Sequence, residues 1–388
     1  MAKLLILINL AYFFLGINGV IGGVNLLEIA GTFKVEPYVI GYLATFMSVG
    51  STAAIFFTGF FARRLQVNQV LIAALVLLIF CYVGIALGGS LFTFGVAMLG
   101  CGIGTGVFLF IANYVIITFY NNESRTAHLN FINFSYSAGA VVTPIAAGML
   151  LKRDVSWEQL YLLTAAYVFF LLLLALPIKR LVTDNGKCRT SSEPKEKWNV
   201  NVYIIGFVFV CYALAEVIFS NWIVVYLREF LAVDIVQAGG ILSLFWAFMT
   251  LGRLSAGLIT RYIRVDYYII GSATLAFFSY LTVLLLRNTY LIMIGASFMG
   301  LFFSGLYASL VSYGTMQSKQ ASSKLVNFYI SISSVGSILC FLLSSAVNQY
   351  FGVYCNLLLS AGAMGMVALL VGITMFINKS QKPNLQTG

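Results

Sequence analysis

Stretches of about twenty apolar residues follow one another along this chain from Leu4 to Ile377, with few charges inside them. Runs of that length match the hydrocarbon thickness of a bilayer when coiled as α-helices. Composition leaves little room for a soluble alternative. Hydrophobic residues make up 61% of the 388 and charged residues 9%, against ~25% charge in ordinary soluble domains. Asp and Glu total 12, too few to coat a globular surface of this size. The expected fold class is an all-α membrane protein with twelve transmembrane helices. They are placed near 4–30, 38–62, 68–88, 90–119, 126–150 and 157–177, then 201–228, 235–260, 267–286, 289–316, 323–348 and 352–377. The first run lacks a clear cleavage site and reads as a retained helix.

The chain is also internally duplicated. Asn130-Phe131 is followed by Gly139, and Asn327-Phe328 by Gly336, with the same nine-residue step and an offset of 197. Gly41, Gly59 and Arg63 recur as Gly239, Gly257 and Arg261 at an offset of 198. Two matches at nearly one offset predict two pseudo-symmetric six-helix bundles, an arrangement typical of secondary transporters. The domain reading is an N-terminal bundle over 1–177, a linker over 178–200, a C-terminal bundle over 201–378 and a tail over 379–388. The linker is the only long polar stretch, with Lys179, Arg180, Lys187, Arg189, Lys195 and Lys197.

Cation placement sets the expected orientation. With the amino terminus inside, sixteen Lys and Arg fall on the cytoplasmic side and five outside, so both termini and the linker are expected in the cytoplasm of an inner membrane. The net charge of +10 is then topology rather than a nucleic-acid surface. Five of six Cys lie in apolar runs, and their spacing fits neither a disulfide framework nor a zinc site. His128 is the only histidine, which excludes a multi-histidine metal site. No Walker loop is present. No enzyme chemistry, metal or cofactor is expected.

A charge in hydrocarbon costs several kcal/mol, so each intramembrane ionisable group needs a partner, a wet cavity or a role. Two sit deep: Glu216 in the middle of the seventh span and Arg253 in the eighth. Glu216 has Tyr212 and Ser220 one turn away on either side, a polar stripe on one helix face. It reads as a poorly solvated, proton-accepting carboxylate, or else as a carboxylate fixed by Arg253 without titrating in a transport cycle. Arg253 reads as a gating or structural residue. Candidate solute contacts are Asn18 and Asn25 in span 1, Asn113 in span 4, and Asn130, Asn133 and Tyr136 in span 5. Tyr212, Trp222, Trp246, Asn327 and Ser331 are the candidates in the second half. Interhelical hydrogen bonding and packing would leave the same residue pattern. The glycines of span 1, Gly16, Gly19, Gly22 and Gly23, read as close-packing sites. Arg63 and Arg261 read as paired latches at the inner ends of the second and eighth spans, and Arg64 as a gating or structural residue. The partners expected are a small-molecule solute, protons and the lipid bilayer, with the chain a monomer.

At these residues the chain resembles the major facilitator superfamily, and within it the fucose-permease-like branch. Tyr212-Ala213-Leu214-Ala215-Glu216, continuing to Trp222 and Tyr226-Leu227, looks like that branch's seventh helix, and Gly252-Arg253 like its eighth. Ala112-Asn113 and Leu129-Asn130 through Gly139-Ala140 look like its fourth and fifth. The TsgA family of bacterial inner-membrane proteins is similar over nearly the whole length, through Glu196-Lys197-Trp198, Cys211-Tyr212, Phe245-Trp246 and Lys324-Leu325-Val326-Asn327-Phe328. The resemblance implies a secondary active transporter of a small polar solute, sugar-like or another metabolite, working by alternating access with proton coupling. Export of an amphipathic compound, or a transporter-fold sensor or assembly protein without transport, are the other readings. Where the fucose-permease pattern carries acids in the first and fourth helices, this chain has Gly23 and Leu109. Those acids serve coupling and sugar contact in that branch, so their absence argues against fucose and leaves Glu216 as the main coupling candidate. The superfamily's loop after the second helix also departs, with Arg63 where an Asp is expected.

Single cysteines at Ser191 and Lys382, in a cysteine-free background, should react with an impermeant maleimide only after the cytoplasmic side is opened. One at Arg153 should react in intact cells. Labelling of position 191 in intact cells overturns the orientation.

Overall fold

The structure is a computed structural model that describes residues 2–61, 67–119, 122–178, 198–318 and 323–381. Thirteen helices are assigned among them: α1 (Ala2–Val24), α2 (Leu26–Phe33), α3 (Pro37–Phe61), α4 (Val67–Leu87), α5 (Leu91–Phe119), α6 (Asn122–Leu151) and α7 (Trp157–Ala175), followed by α8 (Val200–Glu229), α9 (Ile235–Tyr262), α10 (Val265–Leu285), α11 (Thr289–Phe303), α12 (Leu306–Thr315) and α13 (Ser323–Gln381). Eleven are long and apolar enough to cross a membrane when α11 and α12 are counted as one stretch. The 59-residue α13 holds two spans, because Gly352 at φ 81° and ψ 170° breaks it. A positive φ of this kind is tolerated by glycine at little steric cost. The chain is thus an all-α protein of twelve spans.

Two expected spans are interrupted. Span 1 is not continuous to residue 30: the helix stops at Asn25, which has φ −91° and ψ 4°, and α2 begins beyond it. Span 10 is interrupted at Ser304-Gly305. A side chain at Gly305 would put its Cβ 2.2 Å from the Tyr268 hydroxyl, so the neighbouring helix comes very close at this break. The start of α7 is fixed by a capping box in which Ser156 and Gln159 bond each other's backbone N–H, satisfying two otherwise orphaned donors. Arg63, Arg64 and most of the 178–200 linker lie outside the described residues.

The chain forms two compact units. The first comprises Met1–Cys188 with Asp234–Ser243, the second Arg189–Val233 with Leu244–Gly388. In the first, α1 packs on α6, α3 on α5, and α4 on α5 and α7. In the second, α8 packs on α13, and α10 on α11 and α13.

Backbone-to-backbone approach at glycine sets these pairings, and it repeats between the units. A Cβ at Gly102 would lie 2.1 Å from the Met47 carbonyl oxygen; at Gly300, 198 residues on, it would lie 2.1 Å from the Phe245 oxygen, also 198 residues on. A Cβ at Gly139 would sit 2.1 Å from the Phe13 oxygen. Its counterpart Gly336, shifted by 197, faces the Cα of Val210, which is Phe13 shifted by 197. The offsets legible in the sequence are therefore those of equivalent helix crossings. Without a hydrophobic drive between helices in lipid, such close contacts carry the association. Gly16 and Gly19 serve the same end, since Cβ atoms there would strike Tyr136 of α6.

Gly102→Ala should lower the thermal midpoint of the detergent-solubilised protein, as overpacking costs about 1–3 kcal/mol. Gly271→Ala, where an added Cβ meets nothing within 4 Å, should leave it level or higher. Equal midpoints for the two variants would remove close approach at Gly102 as a determinant of the fold.

Candidate functional site

α8 is a run of Val, Ile, Phe, Leu and Ala interrupted by few polar residues, which makes it helical in lipid and nearly all buried. Glu216 stands midway along it and is part-buried, whereas Tyr212 one turn earlier is 3% exposed. The Tyr212 hydroxyl donates a hydrogen bond to the Glu216 carboxylate. Arg253, from α9, lies within electrostatic reach of both. Tyr307 of α12 and Cys340 of α13 also sit in the field of the carboxylate. Helices from four parts of the second unit thus converge on one acid.

Aromatic rings pack on its two tyrosine neighbours. Tyr212 packs on Phe303 and Tyr307 with centroids 5.9 Å apart in each case, and Phe209 lies 5.5 Å from Tyr307 and stacks 5.1 Å from Tyr329. Phe245 bridges Phe303 and Trp246 at 5.7 and 5.6 Å. Tyr307 is 38% exposed, so the cluster reaches a surface of the second unit. A carboxylate that accepts from a phenol beside a guanidinium can hold or release a proton with its partners in place. Flanking ring faces offer stacking to a planar or sugar-like solute.

The other residues singled out in the second half divide. Trp222 is interior, 1% exposed, with its indole N–H donating to Ser344 Oγ at 3.1 Å. Trp246 is 3% exposed beside Phe245. Ser331 is part-buried on α13. Asn327 lies in α13, but its side chain is outside the described set. Arg261 is exposed at the end of α9. Ser220, one turn beyond Glu216, is 3% exposed with no hydrogen-bond partner among the described residues.

In the first unit the amides are largely used between helices. Asn113 Nδ2 donates to the Tyr12 hydroxyl at 2.9 Å and to the Leu109 carbonyl at 2.7 Å. The Tyr82 hydroxyl donates to Asn18 Oδ1, and Asn18 also faces Met47 Sδ. Asn130 and Asn133 are exposed on α6, while Ser137 is buried and bonded to the Asn133 carbonyl at 3.0 Å. Asn25 is fully buried at the α1–α2 break, with no partner for either end of its amide among the described residues. Structure thus brings Tyr212, Glu216 and Arg253 together, and sets Asn18 and Asn113 apart as helix ties.

Sequence reasoning missed the partner tyrosines: Tyr12, Tyr82 and Tyr307. The available signal was a phenol in an apolar run, since a buried hydroxyl needs a partner. Among the described residues, no group of three or more His, Cys, Asp or Glu is placed to hold a metal ion.

Comparison with known proteins places this geometry. The chain is similar to Protein TsgA homologs of Buchnera aphidicola subsp. Acyrthosiphon pisum (strain Tuc7), at 26% identity over 95% of each chain, and of Yersinia enterocolitica, at 25% over 95% of each. Its fold matches the crystal structures of the nucleoside transporter NupG, with a TM-score of 0.77, 14% identity and coverage of 96% of this chain and 99% of that one, and of a D-xylose-proton symporter, with a TM-score of 0.80, 11% identity and coverage of 95% and 96%. These are transporters, not enzymes. The Major Facilitator Superfamily model matches residues 6–265, and the chain belongs to that superfamily.

Proposed function

We propose that this multi-pass membrane protein is a secondary active transporter for a small polar solute of sugar-like or nucleoside-like character, working by alternating access with proton exchange at Glu216. One observation carries the reading: an intramembrane carboxylate, hydrogen-bonded by Tyr212 and within electrostatic reach of Arg253, with Phe303 and Tyr307 packed on that tyrosine. An ionisable group at this depth is expensive unless the protein uses it. The structural neighbours, a nucleoside transporter and a D-xylose-proton symporter, support a neutral hydroxyl-rich solute. They also agree with the aromatic faces, which suit sugar and base rings better than a bare ion.

In this reading Tyr212 holds the Glu216 carboxylate by a hydrogen bond and Arg253 faces it with its charge. Solute contact or rearrangement that weakens either partner lets Glu216 take a proton. Loss of that proton on the other side then gives direction to the cycle. Tyr212 and Trp246 contribute solute contact beside the acid. Asn130 and Asn133, exposed on α6, are the amides of the first unit best placed to meet a solute. Orientation with both termini in the cytoplasm of the inner membrane follows from the cation asymmetry. The protein acts as a monomer in this reading, with lipid as its surroundings.

A thermal-shift screen of the purified protein against sugars, nucleosides, amino acids and organic acids identifies the solute class, because ligand at a hundred times its dissociation constant adds about 2.7 kcal/mol of apparent stability. With a hit in hand, Glu216→Gln in reconstituted vesicles should keep solute exchange within about threefold of wild type. It should abolish accumulation driven by an imposed pH gradient. A variant that still concentrates the solute as wild type does assigns Glu216 a structural role and places coupling elsewhere.

A further inference from the structure

Two cysteines that stand twenty positions apart in the sequence meet inside the first unit. The cause is the packing of α4 against α5. Leu78 lies against Gly104, Cys81 against Gly100, and Gly84 against Ala97. Numbers rise along one helix as they fall along the other, which is the register of an antiparallel pair. Cys81 belongs to the α4 side of this seam, three residues from both Leu78 and Gly84. Cys101 is four residues from Ala97 and three from Gly104, so the helix period turns it to the α5 side of the same seam. There the two thiols are hydrogen-bonded to one another.

Gly100 makes the approach possible. A Cβ there would run into the Cys81 Sγ, and it would lie 3.8 Å from the Cys81 Cβ. Bridged cysteines hold their Cβ atoms about 3.8 Å apart, so the two backbones come within the span of a disulfide. Cys101 is 1% exposed, whereas Cys81 is part-exposed. One thiol is open to a reagent, and the other is reached through it.

Two sulfurs without further ligands suit oxidation better than metal. Among the described residues no third His, Cys, Asp or Glu joins them in a metal-holding group, and structural zinc takes four ligands. A disulfide needs only the pair.

We propose that Cys81 and Cys101 form a redox-active dithiol that reacts with hydroperoxides and closes to a disulfide between α4 and α5. The Cys81 sulfur attacks the O–O bond and becomes a sulfenic acid. Its thiol proton goes to the departing oxygen, which leaves as an alcohol, or as water where the oxidant is hydrogen peroxide. The Cys101 sulfur then attacks the Cys81 sulfur, the S–O bond breaks, and the hydroxyl leaves as water with the Cys101 proton. In all, the two thiols give up two hydrogens with their electrons, and the peroxide takes them. Reduction by a small dithiol restores the open pair. The site does not rest on Glu216 or on the identity of a solute.

Cys188→Ser protein in nanodiscs keeps the five cysteines of the helices and gives the test. After hydrogen peroxide, then N-ethylmaleimide in denaturant, the intact mass should show three alkylated thiols instead of five. Peptide mapping should join the Cys81 segment to the Cys101 segment, and dithiothreitol before alkylation should restore five. Cys101→Ser should leave the Cys81 sulfenic acid unresolved, raising its trapping by dimedone about fivefold over the protein that retains Cys101. Cys81→Ser should leave Cys101 a free thiol after the same exposure. Five alkylated thiols after peroxide, linkage of either cysteine to another partner, or a Cys101 that oxidises as fast in the Cys81→Ser protein would overturn the pair.

Discussion

Hydrocarbon offers no hydrogen bonds, and that constraint organises this molecule. Each backbone N–H and C=O within the membrane must find its partner in its own helix, which is why the described residues form helices and why the apolar runs read so directly. The same constraint removes the hydrophobic drive between helices, so packing falls to places where backbones can touch. Carbonyl oxygens of Phe13, Met47 and Phe245 lie against Gly139, Gly102 and Gly300 so closely that a methyl group would collide with them. The crossings recur at the two offsets of the duplication. Duplication therefore preserved contact geometry, while most side chains around the contacts diverged.

Polar side chains obey the constraint in two ways. Asn18, Asn113 and Trp222 are closed: each has its partner on another helix, Tyr82, Tyr12 and Ser344 respectively. Such pairs in membrane proteins contribute on the order of 0.6–2 kcal/mol, and they fix helix rotation. Glu216 is held differently. Its partners are a phenol and a guanidinium, both able to keep bonding when the acid changes its protonation state, and it is not fully buried. Closed pairs serve the fold, and an ionisable group in adjustable company is what the proposed cycle uses.

The helices were legible from the sequence because hydropathy and length are local properties. Nine spans lie within a few residues of expectation, the first stops at Val24 instead of residue 30, and α13 divides at Gly352 between the expected eleventh and twelfth. The break at Asn25 was not legible, since an Asn in an apolar run signals polarity rather than a helix end. The site was half legible. Glu216 and Tyr212 are one turn apart, so the helix period alone joins them; Arg253 was expected beside the acid because a deep charge needs a partner, whereas Tyr307 arrives from another helix and no spacing announces it. The candidate amides of the first half looked alike in sequence. Only tertiary contacts separate the paired Asn18 and Asn113 from the exposed Asn130 and Asn133.

The duplication also sets the deep charge of one unit against an uncharged position of the other. Shifted back by 197, Glu216 corresponds to Gly19, where a Cβ would lie 2.6 Å from the Tyr136 hydroxyl. One copy of this helix position therefore admits a tyrosine from a neighbouring helix, and the other carries an acid bonded by a tyrosine of its own helix. An acid at Gly19 would have to turn the Tyr136 hydroxyl aside, whereas Gly16 and Gly139 beside it face backbone atoms of the opposite helix and must stay bare for the α1–α6 crossing. With Gly23 and Leu109 also uncharged, the two deep charges read from the sequence, Glu216 and Arg253, both fall in the second unit.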